Sequence, residues 1–252
     1  MNIAIIGYGK MGKMIEEIAK QRGHNVVCVI DKYNQQDFDS PAFASANVAI
    51  EFTEPDRAWA NCNKAWAKNV KVVCGTTGWI DKHLQEAKQM CANEGKTLLW
   101  ASNFSVGMAA FRAVNSYLAR IMNKLNQYNI ELREVHHLHK KDAPSGTAIT
   151  LAEDIIKEID RKEKWVKGVV IRDDENGPWR TGPHLGTCLV INSFRTEEVP
   201  GTHTIEYSSE ADKIKIEHEA KNRKGFALGA VIAAEYTSEH SGFLNIEDVF
   251  NF

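Results

Sequence analysis

The sequence predicts an α/β protein in which a doubly wound parallel sheet is followed by a smaller α+β domain with a mixed or antiparallel sheet. Three observations lead to this fold class. Short β-branched runs alternate with helical patterns in the first half, a glycine-rich turn follows the first run, and strand-like runs succeed one another closely in the second half. Alternation with crossover helices is typical of parallel sheets, whereas closely spaced strands favour antiparallel pairing.

The first half contains five strand-like runs separated by helical patterns, as a doubly wound sheet requires. Met11, Ile15 and Ile18 share one face of the first helix, which Gly23 ends. The predicted strands cover residues 2–6, 25–30, 48–52, 71–74 and 97–101, and further helices run from 55 to about 68 and from about 81. Residues 1–104 therefore form the first predicted domain.

The second predicted domain covers residues 105–223. Helical patterns run to about residue 123 and over 146–159, and strand-like runs cover residues 129–138, 168–172, 187–193, 203–207 and 213–217. The last four runs are close together, which favours a mixed or antiparallel sheet. A final helical pattern over 226–236 lies within a segment, 224–252, that we expect to complete the first domain.

Composition excludes several functional classes. The 252 residues are 43% hydrophobic and 25% charged, as in globular proteins, and the net charge of -2 gives no general attraction for nucleic acid or a membrane surface. The longest apolar runs, such as 3–6 and 26–30, are too short to span a membrane. With no signal-peptide pattern, we expect a cytoplasmic protein whose five cysteines stay reduced.

The glycine-rich turn predicts a dinucleotide site. Gly7, Tyr8, Gly9, Lys10, Met11 and Gly12 fit the pattern G-x-G-x-x-G, between a predicted strand and a predicted helix. In that context the glycines allow a tight turn and a close approach of pyrophosphate to the helix N-terminus, which makes the Rossmann type of sheet the expected one. The alternative is a purely structural glycine-rich turn.

Asp31 ends the second predicted strand, about 20 residues after the motif, where a carboxylate can bind the adenosine ribose of NAD. The adjacent Lys32 can pair with the 2′-phosphate of NADP, or it can be a solvated lysine at a strand end. Use of both NADH and NADPH therefore stays open.

Two later strand ends carry small polar residues. Phe52 and Thr53 follow the third strand, and Gly75, Thr76 and Thr77 follow the fourth. Ligands of open α/β sheets bind outside the carboxyl ends of the strands, so these residues can reach the nicotinamide side of the cofactor. The alternative is that both segments are ordinary turns.

The densest polar segment runs over residues 134–147 and contains three histidines, His136, His137 and His139. On a strand, His137 and His139 would share one face. A zinc site is the less favoured interpretation because no fourth ligand is suitably spaced, so we expect no metal. Instead, Ser145 can begin a helix whose free amides hold a carboxylate, while an imidazole donates a proton. The alternative is an exposed basic turn before a capped helix.

Together these motifs resemble one family over nearly the whole chain, 4-hydroxy-tetrahydrodipicolinate reductase, also called dihydrodipicolinate reductase. The resemblance rests above all on the segment 136–147, and otherwise on 7–12, 52–53, 75–78, 103–107, Arg195, 201–204, 218–220, Arg223, 226–227 and 229–230. It implies hydride transfer from NADH or NADPH to 4-hydroxy-tetrahydrodipicolinate with loss of water, giving tetrahydrodipicolinate, within diaminopimelate and lysine biosynthesis. It also implies a homotetramer joined through the sheet of the second domain.

The same resemblance assigns roles to individual residues. His136 and Lys140 correspond to proton donors, and four residues correspond to the group that binds the substrate carboxylates: His137, Ser145, Gly146 and Thr147. Contacts to the nicotinamide are implied for Ala101, Ser102, Asn103 and Phe104. The chain departs from the family pattern at Glu51, where aspartate is usual, and at Leu138, where arginine is common.

Two other functions remain as alternatives. A different two-domain NAD(P) reductase, acting on an amino acid or sugar acid, would share the glycine motif but would have no use for residues 136–147. A catalytically idle nucleotide sensor would bind NAD(P)H and would be indifferent to His136 and Lys140.

Overall fold

A computed structural model describes residues 1–172, 186–196 and 198–250. The chain divides into two compact units. Met1–Val106 and Arg223–Phe252 form the first unit, and Gly107–Asn222 form the second.

The first unit is a parallel sheet with helices on both faces, as predicted, but it has six strands rather than five because the C-terminal segment adds Gly242–Leu244 beside the fifth strand. Its strands are almost continuously apolar because both faces are covered. Their order across the sheet is β11-β5-β4-β3-β1-β2. The strands are β1 (Asn2–Ile6), β2 (Asn25–Ile30), β3 (Val48–Glu51), β4 (Lys71–Cys74), β5 (Thr97–Trp100) and β11 (Gly242–Leu244). The helices are α1 (Lys10–Gln21), α2 (Pro41–Ala44), α3 (Pro55–Ala67), α4 (Ile80–Asn93), α7 (Lys224–Glu239) and α8 (Ile246–Phe250), with a 3-10 turn at Gln35–Asp39.

Helix α7 packs beside α1 on one face of this sheet, although the two are far apart in the chain. Small residues allow the close approach: a Cβ on Gly229 would lie 1.7 Å from the carbonyl oxygen of Phe104. Ala230 and Ala234 of the same helix are fully buried. On the opposite face, α3 and α4 cover a second core that contains the buried thiols of Cys62 and Cys74. All five cysteines are free, as expected.

The second unit has a mixed five-stranded sheet in the order β10-β9-β6-β8-β7. The pairs β6–β8 and β7–β8 are parallel, and β6–β9 and β9–β10 are antiparallel. Its elements are α5 (Val106–Met122), β6 (Asn129–His136), α6 (Gly146–Glu158), β7 (Lys164–Arg172), β8 (Cys188–Arg195), β9 (Thr202–Ser208) and β10 (Lys213–Glu219). Residues of α5 and α6 form one apolar core with the sheet. The predicted fold class is thus confirmed in both parts.

One predicted strand was too long. The segment predicted over 129–138 ends as a strand at His136, and Leu138 and His139 lie in a turn. The argument that His137 and His139 share a strand face was therefore wrong, although their rings lie 6.3 Å apart. β6 ends at His136 because its partner there, Arg195, is the last residue of the neighbouring strand β8.

Candidate active site

The glycine motif forms the turn between β1 and α1, and two of its glycines are required by the protein itself. Gly7 has φ of +94°, and a Cβ there would lie 2.1 Å from the carbonyl oxygen of Phe52. A Cβ on Gly12 would lie 2.1 Å from the carbonyl oxygen of Gly7, which explains the close packing of helix on strand. At Gly9, by contrast, a Cβ would meet no described atom within 4 Å. Gly9 is the N-cap of α1, so the start of this helix is not covered by a side chain of residue 9.

A cleft of about 230 Å³ opens beside this turn. It is lined by Ile6, Gly7, Tyr8, Gly9, Ile30, Asp31, Lys32, Gln35, Phe52, Thr53, Glu54, Arg57 and Asn61. Tyr8 is held there by a hydrogen bond from its hydroxyl to Glu16. Sequence reasoning did not single out Arg57 and Asn61, because both come from α3 and carry no motif of their own.

In the wall of this cleft, Asp31 and Lys32 lie side by side where β2 ends. The Asp31 carboxylate accepts a hydrogen bond from the backbone N–H of Lys32 at 2.8 Å. The backbone N–H of Asp31 donates to the side-chain oxygen of Asn34 at 2.7 Å. The ammonium of Lys32 is exposed and lies 4.8 Å from the ring centre of Tyr33. Both residues line the same cleft, Asp31 with an acceptor and Lys32 with a cation.

All the predicted cofactor residues lie in the first unit, at the carboxyl ends of consecutive strands. They are Gly7 to Gly12 after β1, Asp31 and Lys32 after β2, Phe52 after β3, Gly75, Thr76 and Thr77 after β4, and Ala101, Ser102, Asn103 and Phe104 after β5. Not all face solvent: Ala101, Phe104 and Thr76 are buried, whereas Ser102 and Thr77 are exposed.

In the second unit, His136 lies at the end of β6 in contact with a buried carboxylate. Its Nδ1 is 2.5 Å from Oε2 of Glu134, which lies two residues earlier on the same face of the strand. Arg195 donates to Oε1 of Glu134 at 2.8 Å. Burial alone would raise the pKa of Glu134, but hydrogen bonds from His136 and Arg195 outweigh it and hold the pKa well below its usual range.

A second histidine, His203 of β9, packs against this pair. Its ring lies 5.2 Å from that of His136, and its Nε2 is 3.3 Å from the hydroxyl of Ser145. Burial, aided by the neighbouring charge of His136, lowers the pKa of His203 to about 3. The His203 ring is therefore neutral near pH 7.

Ser145 begins α6, as predicted, but its polar groups are already engaged. Its hydroxyl accepts the N–H of Ala148 at 3.2 Å, and its own N–H donates to Glu134 at 3.1 Å. With 2% of its surface exposed, Ser145 caps the helix from within the protein. Gly146 and Thr147 occupy the first turn that follows.

Lys140 lies in the loop between β6 and α6, where its ammonium contacts Asp142 at 2.8 Å. Burial acts to raise the pKa of Asp142, but the hydrogen bond and charge of Lys140 lower it below the usual value. Arg195 donates to the backbone oxygen of Asp142 at 2.6 Å and so joins this loop to Glu134. His137 is half-buried at the start of the loop.

Sequence reasoning assigned no role to Glu134 or Arg195. The period of two between Glu134 and His136 was an available signal, since it places both on one face of a strand. Among the described residues, Glu134, His136 and His203 are also a buried group of metal-ligating type. Arg195 already neutralises the carboxylate, which favours proton chemistry over cation binding at this position.

Both halves of the chain match profiles of one family. Residues 1–104 match "Dihydrodipicolinate reductase, N-terminus", and residues 107–250 match "Dihydrodipicolinate reductase, C-terminus". The chain belongs to the dihydrodipicolinate reductase family. The predicted resemblance is thus confirmed, and with it an oxidoreductase of diaminopimelate and lysine biosynthesis whose N-terminal domain binds NAD(P)H.

Individual members of the dihydrodipicolinate reductase family are similar over their whole length. The 4-hydroxy-tetrahydrodipicolinate reductase of Christiangramia forsetii is 40% identical over 255 residues, covering 100% of this chain and 98% of the relative. That of Thermosipho africanus is 30% identical, covering 99% and 97%. A solved structure described as dipicolinate-bound dihydrodipicolinate reductase from Paenisporosarcina sp. TG-14 has a TM-score of 0.74 at 22% identity, covering 97% of each chain, and so shares the fold. No helix among the described residues is long and apolar enough to cross a membrane.

Proposed function

We propose that the chain reduces 4-hydroxy-tetrahydrodipicolinate to tetrahydrodipicolinate, with loss of water, and that His136 and Lys140 are its proton donors. One observation carries the assignment of residues: His136 is held by a buried carboxylate at 2.5 Å, beside the capped start of α6 and the loop of Lys140. A dicarboxylate substrate requires such a combination of cation, amide donors and titratable group.

The cofactor supplies the hydride. The turn at Gly7 and the open side of Gly9 fit a pyrophosphate, and Asp31 is positioned to accept hydrogen bonds from a ribose 2′-hydroxyl. Because Lys32 offers a cation to a 2′-phosphate in the same cleft, we propose that both NADH and NADPH are used. An Asp31→Ala variant should favour NADPH relative to the wild type, since it removes the carboxylate that repels the phosphate.

His136 is suited to donate a proton from Nε2. Its other nitrogen faces Glu134, which fixes the ring and supports a proton on Nδ1. Residue 201, which lies next to Nε2, is a glycine and has no side chain to cover that atom. A Cβ on Gly201 would lie 3.0 Å from it. Loss of water leaves a carbon–carbon double bond conjugated to the ring imine. Hydride addition to that double bond leaves negative charge shared with the ring nitrogen, and a proton delivered from His136 neutralises that charge.

Lys140 and the start of α6 would bind the carboxylates of the substrate. Lys140 contacts Asp142 in this loop. It supplies a cation for a carboxylate, and as the second donor it would protonate the hydroxyl that leaves as water. The amides of Gly146 and Thr147, in the first turn of α6, would bind a carboxylate together with His137. Ser145 contributes by holding the helix start in place, since its N–H already donates to Glu134 and its hydroxyl oxygen already accepts from Ala148. The dipicolinate named for the Paenisporosarcina structure is a ligand of the same dicarboxylate class.

We also propose a cytoplasmic homotetramer. Five free thiols are typical of a reducing compartment, and the family resemblance implies assembly through the second domain. Light scattering of the purified chain tests the assembly: a monomer at micromolar concentration would contradict it.

The reaction is tested by coupling the protein to an enzyme that makes the substrate from pyruvate and aspartate semialdehyde, and following oxidation of NADH and NADPH separately. Oxidation that depends on the coupled substrate supports the proposal. Tight nucleotide binding without oxidation would instead favour a sensor or a different substrate acid.

The proton donors are tested with His136→Ala and Lys140→Ala. Each should lower kcat by about a hundred-fold or more, the usual worth of a positioned proton donor, with nearly unchanged NADH affinity. Lys141→Ala is the matched control, since Lys141 is an exposed cation next to Lys140 and should keep full activity. Full activity in both donor variants would contradict the assignment.

A further inference from the structure

Glu51, the last residue of β3, is a completely buried carboxylate surrounded by hydrogen-bond donors. The hydroxyl of Thr76 donates to its Oε2 at 2.7 Å, and the thiol of Cys74 approaches the same oxygen at 3.1 Å. Its Oε1 accepts from the hydroxyl of Thr53 and, at 3.2 Å, from the side-chain amide of Asn61. Four donors for two oxygens match the acceptor capacity of a carboxylate.

These donors come from separate segments, so Glu51 connects them. Thr53 belongs to the loop after β3, and Thr76 belongs to the loop after β4. The two loops also contact each other directly, because the backbone N–H of Thr53 donates to the hydroxyl of Thr76 at 2.8 Å. That hydroxyl in turn donates to Glu51, so each bond fixes the orientation of the next.

The connected loops form part of the dinucleotide cleft. Thr53 and Asn61 line it directly. Thr53 also contacts the glycine turn, since a Cβ on Gly7 would lie 2.9 Å from the Thr53 methyl carbon. On the other side, a Cβ on Gly75 would lie 2.1 Å from the ring of Phe52. With so little free space, a movement of Thr53 would displace its neighbours in the cleft wall.

The position of Glu51 in the sheet indicates which part of the nucleotide is affected. Asp31, at the adenosine end, follows β2 at the edge of the sheet, and the order continues through β1 to β3 and β4. A dinucleotide anchored at Asp31 therefore extends its nicotinamide half over the ends of β3 and β4. Glu51 lies beneath that half of the site.

We infer that Glu51 is a positioning residue for the nicotinamide half of the cofactor, holding the loops after β3 and β4 together beneath it. The inference rests on the proposed nucleotide site. Glu51→Gln tests it, because the amide keeps the shape but turns one acceptor into a donor that faces other donors.

Calorimetric titration with NADH and with ADP-ribose, which lacks the nicotinamide, separates the two halves of the site. In Glu51→Gln we expect the Kd for NADH to rise about ten-fold and that for ADP-ribose to change by less than about two-fold. The KM for NADH should rise more than kcat falls. Glu235→Gln is the matched control: it alters a carboxylate of the same unit that pairs with Arg22 away from the cleft, and both affinities should stay at wild-type values.

Thr76→Val keeps the test decisive if Glu51→Gln does not fold, because it removes only one hydroxyl from the same connection. It should show the same difference between NADH and ADP-ribose, and the double variant should lose less than the two single effects combined. Unchanged NADH affinity in the folded variants, or equal losses for both ligands, would overturn the inference. Failure of the wild type to bind NADH would instead contradict the proposed function.

Discussion

His203 is expected to make the stability of the protein depend on pH. Burial foremost, and then the neighbouring charge of His136, lowers the pKa of His203 from an ordinary value of 6.5 to about 3. In the unfolded chain the imidazole takes up a proton near its ordinary value, whereas in the folded protein it stays neutral. Between these two pKa values the unfolded state binds one more proton, so stability must rise with pH.

The size of the effect follows from that single proton. The free energy of unfolding should fall by about 1.4 kcal/mol for each pH unit below about 6.5, and by about 5 kcal/mol in all by about pH 3. Above about pH 6.5 the imidazole of His203 is neutral in both the folded and the unfolded state, so it no longer changes the free energy of unfolding with pH. A loss of this size is comparable with the whole stability of many domains.

Urea unfolding of the wild type and of His203→Gln, from about pH 7 to about pH 4, measures this contribution. Glutamine does not titrate, and its amide can still reach the hydroxyl of Ser145. Titratable groups that do not interact with His203 affect both proteins equally, so their effects cancel in the difference. The difference should change by about 1.4 kcal/mol per pH unit. Parallel curves for the two proteins would refute the assignment of a buried neutral His203.

Two further predictions concern α7. Gly229→Ala should lower the free energy of unfolding by about 1–3 kcal/mol in urea titrations, because its Cβ would lie 1.7 Å from the backbone oxygen of Phe104. Gly225→Ala on the same helix is the control: its Cβ meets only ordinary contacts, so it should not destabilise the protein. Equal stabilities would contradict the close packing. Glu235→Gln should cost up to about 1 kcal/mol at neutral pH, measured by thermal melting, through loss of its partly exposed pair with Arg22. The Arg22 hydrogen bond lowers the pKa of Glu235, so this stabilisation is present above about pH 4.5 and is lost as the pH falls through the lowered value; a variant that matches the wild type at neutral pH would rule it out.

The sequence was informative wherever a function depends on adjacent residues. The glycine turn could be located because its geometry depends on a few consecutive positions, and Gly7 and Gly12 prove to be required by backbone contacts nearby. The same holds for Ser145, since helix capping is local. The end of β6 was misjudged by two residues because it depends on where its neighbour β8 ends.

The partners of the site residues depended on sheet register, which local pattern does not specify. Pairing of β6 with β8 places Arg195 opposite His136, and pairing with β9 places His203 opposite Glu134. Likewise, Glu51 obtains its partner Thr76 only because β3 and β4 lie side by side.

The sequence by itself thus determined the two sheet types, the dinucleotide turn and the segment 136–147, because strand periodicity, turn chemistry and helix capping act over a few residues. Only the tertiary structure decided that Arg195 pairs with the carboxylate that holds His136, that Ser145 serves as an internal cap, and that Glu51 joins two loops. Those contacts join residues up to 61 positions apart, and they exist only once the strands are paired and the helices packed.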